Sequence, residues 1–242
     1  MAMTKYQYYY AIKEITMRRT IRLIESQNIL NKKLFKNQKL IPEVREHLLK
    51  IAQEFLDNFS IDILVDDINL IGSNAGYNYK SKSDIDLHII TDFTQYPADV
   101  DIIDELFNAK KNNFNSNYDI TIKDLEVELY IEDVNNPADT NGRYSIKDDT
   151  WLQEPTYIEE PPVNKELVEE YTDKIEEVIK SKDLAKIDSL IDEIWDRRKN
   201  DVKQYGFIGE FNLVFKSLRA KGLLDKLRKT KTEVTSEELS LE

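Results

Sequence analysis

Two aspartates stand two residues apart inside an apolar run, Asp84-Ile85-Asp86-Leu87-His88-Ile89-Ile90, and a Gly72-Ser73 pair closes an earlier one, Asn69-Leu70-Ile71. In a strand, side chains alternate faces, so Asp84 and Asp86 share a face with Cα atoms roughly 6.5–7 Å apart, and Ile85 and Leu87 face the core. Two carboxylates at that spacing can share one or two hard cations. A Gly-Ser turn beside them lets backbone N–H groups approach an anion closely. A bare carboxylate in an apolar strand is costly, which separates this pair from ordinary surface aspartates. A third acid is needed to complete a cation cage. In 125–131, Leu125, Val127, Leu129 and Ile131 alternate with Glu126, Glu128 and Tyr130, a period-2 strand with one acidic face. Glu128, embedded between Val127 and Leu129, is the choice, and Glu126 shares its face.

The elements that must position these acids are readable. Pro42 opens a helix that ends near Asn58, with Val44, Leu48, Leu49, Ile51, Ala52, Phe55 and Leu56 on one stripe. Ile68–Ile71 enters the Gly-Ser turn as a strand, with Asp66 and Asp67 in the turn before it. Residues 84–91 form the second strand. Tyr96-Pro97-Ala98-Asp99 opens a helix over 100–111, and Asn112–Asn117 reads as a polar loop. Ile120–Ile122 is strand-like, and 143–146 with 150–152 forms a β-hairpin. Pro155 and Glu159-Glu160-Pro161-Pro162 mark a stiff linker. From Asn164 the apolar spacing is helical, interrupted at Gly206 and Gly209. The resulting division is a helical, basic and aromatic extension over 1–38, an α+β core over 39–160, a helical domain over 161–231 and an acidic tail over 232–242, read as partly mobile.

Composition narrows the classes. At 242 residues the chain can bury a sizeable core, in one domain or two. Zero cysteines exclude disulfides and thiolate metal sites, and two histidines, His47 and His88, are too few for a His-rich one. Any metal is therefore held by oxygens, which favours magnesium, manganese or calcium. No run is apolar and long enough to predict a membrane span, and no signal-peptide core opens the chain. The net charge of −12 argues against a nucleic-acid binder, yet it is unevenly placed: residues 51–196 sum to −23, whereas 5–50 sum to +7 and 197–231 to +8. His88 has the parity of the two aspartates and is read as a buried, hydrogen-bonded group. Tyr144 and Trp151 are read as packing residues, and Lys80 as a solvated loop lysine or a phosphate neighbour.

Gly72-Ser73, Asp84-Ile85-Asp86 and Val127-Glu128-Leu129 together resemble the DNA polymerase β-like nucleotidyltransferase superfamily. Its mark is a helix, a strand ending in Gly-Gly or Gly-Ser, Asp-x-Asp on the next strand and one acid from a later strand. The runs at 72–79, 83–88, 127–130, 144–155 and 209–219 also look like nucleotidyltransferases of tailed bacteriophages, and the resemblance covers about 40–228. It implies an α+β fold with a small mixed sheet flanked by helices, followed by a C-terminal helical bundle. It implies transfer of a nucleoside monophosphate from an NTP such as ATP to a hydroxyl acceptor, with release of pyrophosphate. The acceptor classes are an RNA 3′ end, a protein or a small molecule. Asp84, Asp86 and Glu128 would hold Mg2+ or Mn2+ and carry catalysis; Gly72, Ser73, Lys82 and Lys216 would hold the triphosphate. Glu in the third place departs from the more usual Asp and reaches one methylene further. The alternative is a non-catalytic interaction or virion-associated protein that keeps the fold, with residues 1–38 docking on a partner protein. The expected setting is the cytoplasm of a host cell, or the particle, and no membrane.

Overall fold

The structure, a computed structural model, describes residues 29–81 and 83–241. They fall into two compact units that divide between Ile158 and Glu159, at the proline-marked linker. The fold is α+β as expected: among the described residues, a two-stranded and a six-stranded mixed sheet with two helices come first, and four helices follow.

The first element among the described residues is a hairpin of β1 (Phe35–Lys36) and β2 (Lys39–Leu40), whose turn places Asn37 and Gln38 at positive φ. Leu30, Leu34, Phe35 and Leu40 are buried in the main core. Residues 29–38 therefore belong to the core, not to an extension that ends at 38; Phe35 is held there by stacking on Trp151 at 5.4 Å. The Tyr-rich segment 1–28 lies outside the described residues. Helix α1 (Pro42–Leu56) starts on its proline and buries Val44, Leu48, Ala52 and Phe55 against the sheet.

The large sheet contains β3 (Asp67–Ile71), β4 (Ile85–Thr91), β5 (Thr121–Ile122), β6 (Leu125–Asp133), β7 (Arg143–Ser145) and β8 (Thr150–Gln153), in the order β5-β6-β4-β3-β7-β8. Asp67 is the first residue of β3 rather than part of the turn, because its Oδ1 accepts from Ile68 N–H and the Ser145 hydroxyl. β4 runs antiparallel to β3 and parallel to β6. A parallel pair needs a crossover, and α2 (Val100–Asn117) supplies it. α2 runs two turns past the expected end, through the stretch read as a polar loop. Two contacts override its low helix propensity. Phe114 is buried against Phe55, and the Asn115 amide mimics a neighbouring strand, donating to Leu129 O at 2.9 Å and accepting from Leu129 N–H at 3.1 Å. That covers part of the β6 edge.

One face of the sheet, with Leu70, Ile85, Leu87, Ile89, Val127 and Leu129, is packed into the core. The opposite face carries the polar residues of the same strands.

The second unit is built from α3 (Lys165–Ser181), α4 (Leu184–Tyr205), α5 (Glu210–Ala220) and α6 (Leu223–Leu239). Asn164 and Asp183 cap α3 and α4 by accepting from Leu167 and Lys186 N–H. Val168, Tyr171, Ile175, Ile187, Leu190, Ile194, Phe211, Val214, Phe215, Leu218, Leu224 and Leu227 make the shared core. The segment read as a mobile tail from 232 is helical to Leu239. Val234 continues the buried stripe, and Glu237 pairs with Lys182 at 3.3 Å. No helix among the described residues is long and apolar enough to cross a membrane.

Candidate active site

Asp86 and Glu128 are direct partners in the parallel β4–β6 register, so they stand side by side on the polar face, about 4.8 Å apart at the backbone. Asp84 immediately precedes β4 with the same parity. Glu126 pairs instead with Thr121 at the margin of the sheet and is exposed. Register thus sets Glu128, and not Glu126, beside Asp86.

Tyr130, next on that face of β6, reports on all three acids. Its hydroxyl donates to Glu128 Oε2 at 2.5 Å. Burial, then the charges of Glu128, Asp86 and Asp84, push its pKa far above the ordinary value of 10. Tyr130 thus feels the charge of all three acids, Glu128 most strongly. Lys111 of α2 reaches it as well, with Nζ 4.7 Å from the centre of the Tyr130 ring. Burial lowers the Lys111 pKa, against the pull of Glu128 and Asp104. Neither Tyr130 nor Lys111 stood out in the sequence. The parity of Tyr130 was visible, but nothing local marked Lys111.

The turn after β3 is built around the acids. Gly72 has φ +71°, and a Cβ there would lie 1.9 Å from Asp86 Oδ2. The glycine is required twice, by conformation and by the carboxylate packed on its Cα. Its N–H donates to the Thr140 hydroxyl at 3.3 Å. Ser73 opens the short 3-10 turn Ser73–Ala75. Replacing Gly72 with Ala is expected to displace the Asp86 carboxylate and to cost about 1–3 kcal/mol from the positive-φ extended backbone alone, a conformation that is essentially glycine's. Urea denaturation checks the cost, and an unchanged midpoint would contradict it.

Asn74 was not foreseen. It is fully buried; its Nδ2 donates to Ser83 O at 2.8 Å and Asp84 O at 2.7 Å, and its Oδ1 accepts from Asn31 at 2.8 Å. One side chain thus ties the Gly-Ser turn to the start of the Asp84-Ile85-Asp86 strand. Asn74→Ala leaves two carbonyls without that donor and is expected to destabilise the first unit by about 1–3 kcal/mol. A denaturation curve that overlays the parent's would refute this.

Behind the acids lies a buried polar network. His88 Nδ1 donates to Glu132 Oε2 at 2.6 Å, and Arg143 donates to Glu132 Oε1 at 2.8 Å. Ala138 N–H donates to the same oxygen at 3.0 Å. His88 also stacks on Tyr130 at 4.8 Å. Burial lowers the pKa of His88, although Glu132 opposes it. A neutral imidazole donating from Nδ1 matches a carboxylate that can only accept. The expected structural role of His88 is what these contacts describe. Tyr144 and Trp151 pack edge to face at 5.0 Å, as packing residues do.

Of the other residues expected at the site, Lys82 lies outside the described residues and Lys80 is exposed. Lys216 is on α5, in the helical unit, where Nζ donates to Phe207 O at 3.5 Å and lies 3.9 Å from Glu160.

The donor set suits a hard divalent ion, being all carboxylate oxygen. The carboxylates do not yet form a closed cage: among the described residues, no three Asp, Glu or His side chains are grouped to grip one ion. Glu128 is instead committed to Tyr130 along its own strand. Compared with protein-family models, curated proteins and solved structures, the chain matches none.

Proposed function

We propose that the protein is a metal-dependent nucleotidyltransferase that moves a nucleoside monophosphate from an NTP to a hydroxyl acceptor. The observation that carries this reading is the register of β4 on β6, which sets Glu128 beside Asp86 next to the Gly72 turn. Asp84, Asp86 and Glu128 would hold Mg2+ or Mn2+. An ion bound there would supply a lowered pKa for an attacking hydroxyl and positive charge against the triphosphate and leaving pyrophosphate. The chain's own residues do the rest. Gly72 lets the backbone come within contact of Asp86, and Ser73 offers a hydroxyl to a phosphate. Asn74 fixes the distance between the turn and Asp84. Tyr130 orients Glu128, and Lys111 places positive charge beside a strongly acidic face.

The test is transfer of label from each α-phosphate-labelled NTP, with Mg2+ or Mn2+, onto total RNA or protein. Label on one acceptor class is expected. A second reading, a non-catalytic protein that retains this fold, is favoured by one observation, the hydrogen bond that turns Glu128 to Tyr130 rather than to the aspartates. Absence of label with every nucleotide, metal and acceptor would support that second reading and reject the first.

A further inference from the structure

The helical unit carries a feature that the acidic site does not use. Trp195 on α4 is 36% exposed although it is the largest side chain on its helix. One edge packs on Phe215 of α5, with ring centres 5.0 Å apart. Two guanidinium groups stand over the indole: Arg198 of the same helix at 5.4 Å and Arg228 of α6 at 5.3 Å. Arg198 is fixed, since its Nε donates to the buried Asn212 at 3.2 Å and it lies 4.3 Å from the Phe215 ring. Arg228 is exposed, as are Lys199, one turn beyond Trp195, and Arg219, one turn beyond Phe215. Acids stand close by on the same helices: Asp196 three residues before Lys199, Asp192 three before Trp195 and Asp225 three before Arg228. Residues 197–231 carry 11 Lys or Arg against 3 Asp or Glu, in a chain of net charge −12.

We propose that this surface binds single-stranded nucleic acid, with one base displacing the Arg228 guanidinium to stack on Trp195 and the flanking phosphates on Arg228 and Lys199. The chemistry selects that occupant. An aromatic face among cations satisfies a base and its phosphates together. A duplex hides its base faces. An acidic peptide pairs with the cations but draws nothing from the indole, and an apolar partner must bury the cations unpaired. The surface belongs to the helical unit alone and needs no divalent ion and no triphosphate, so it stands apart from the nucleotidyl-transfer reading.

The experiment measures fluorescence anisotropy of the full chain with labelled oligouridylate and oligodeoxythymidylate of ~12 nucleotides, in EDTA, with a matching RNA duplex and polyglutamate as competitors. Binding that quenches tryptophan emission is expected, with a log–log salt slope of about −1.4 for two phosphate contacts on a single strand. Arg228→Glu should weaken binding about tenfold and flatten the slope by roughly 0.7. Trp195→Ala should weaken it by about tenfold or more with the slope unchanged, and Trp195→Phe, which keeps the contact with Phe215, by less. The stronger of the ribo and deoxy arms identifies the natural strand. No binding at ~50 mM salt, binding that Arg228→Glu leaves intact, or equal competition by duplex or polyglutamate would each overturn the proposal.

Discussion

Replacing both Asp84 and Asp86 with Asn is expected to lower nucleotidyl transfer by more than about 10³-fold, because both groups that would hold the ion lose their charge together. The first unit should stay folded in the variant. Both side chains keep their size, and both are only half-buried. Transfer and thermal unfolding are measured on the same preparation. Loss of transfer with the fold intact supports the site. Transfer that survives the double change refutes the catalytic role of the pair, whatever the acceptor proves to be. Glu128→Gln is the informative companion, since Glu128 is shared between the acids and Tyr130.

The largest expected effect on stability comes from Glu132. It is 7% exposed and accepts from His88, Arg143 and Ala138 N–H. Glu132→Ala leaves Arg143, whose side chain is 14% exposed, with Ala138 O but no carboxylate, and leaves two further donors without their acceptor. The cost is about 3–5 kcal/mol, the range for removing one partner from a buried pair. Urea unfolding followed at Trp151, in the first unit, reads it, and a loss below ~1 kcal/mol would contradict the role assigned to the network. The pH dependence has a definite sign. Burial alone would raise the pKa of Glu132, but His88 and Arg143 outweigh it and hold the carboxyl below its ordinary 4.5. A folded pKa below the unfolded one means that the stabilisation is present above about pH 4.5 and is lost as pH falls through the folded value. Burial likewise holds His88 below 6.5, so its contribution fades in the same direction, beginning below that pH. The first unit should therefore lose stability progressively on acidification from about pH 6.5. Glu132→Gln should flatten the part of that decline below pH 4.5. Parallel curves for parent and variant would show that Glu132 does not carry it.

Alternation alone placed Asp84, Asp86 and Glu128 on single faces of their strands, because a strand's period of two is a local property. Pro42 and the apolar stripe after it announced α1, and the proline-rich linker announced the division at 158. Those features depend on neighbours within a few residues, so they are legible in the chain. The end of α2 is not, since it depends on Asn115 reaching Leu129, a backbone far away in sequence. The tail from 232 is helical for a similar reason: Val234 finds the bundle core.

The acids themselves show the division most plainly. Composition and spacing determined that two aspartates share a face after a glycine turn, and that a glutamate strand follows. Its place between Val127 and Leu129 favoured Glu128, but parity could not exclude Glu126. The parallel register of β6 on β4, which sets Glu128 beside Asp86, depends on core residues such as Leu87 and Leu129 packing on the other side of the sheet. The tie from Asn74 to Ser83 and Asp84, the positive φ of Gly72 against Asp86, and the approach of Tyr130 and Lys111 are likewise contacts between segments. A site assembled from two strands, a turn and a crossover helix exists only once the core has fixed their register.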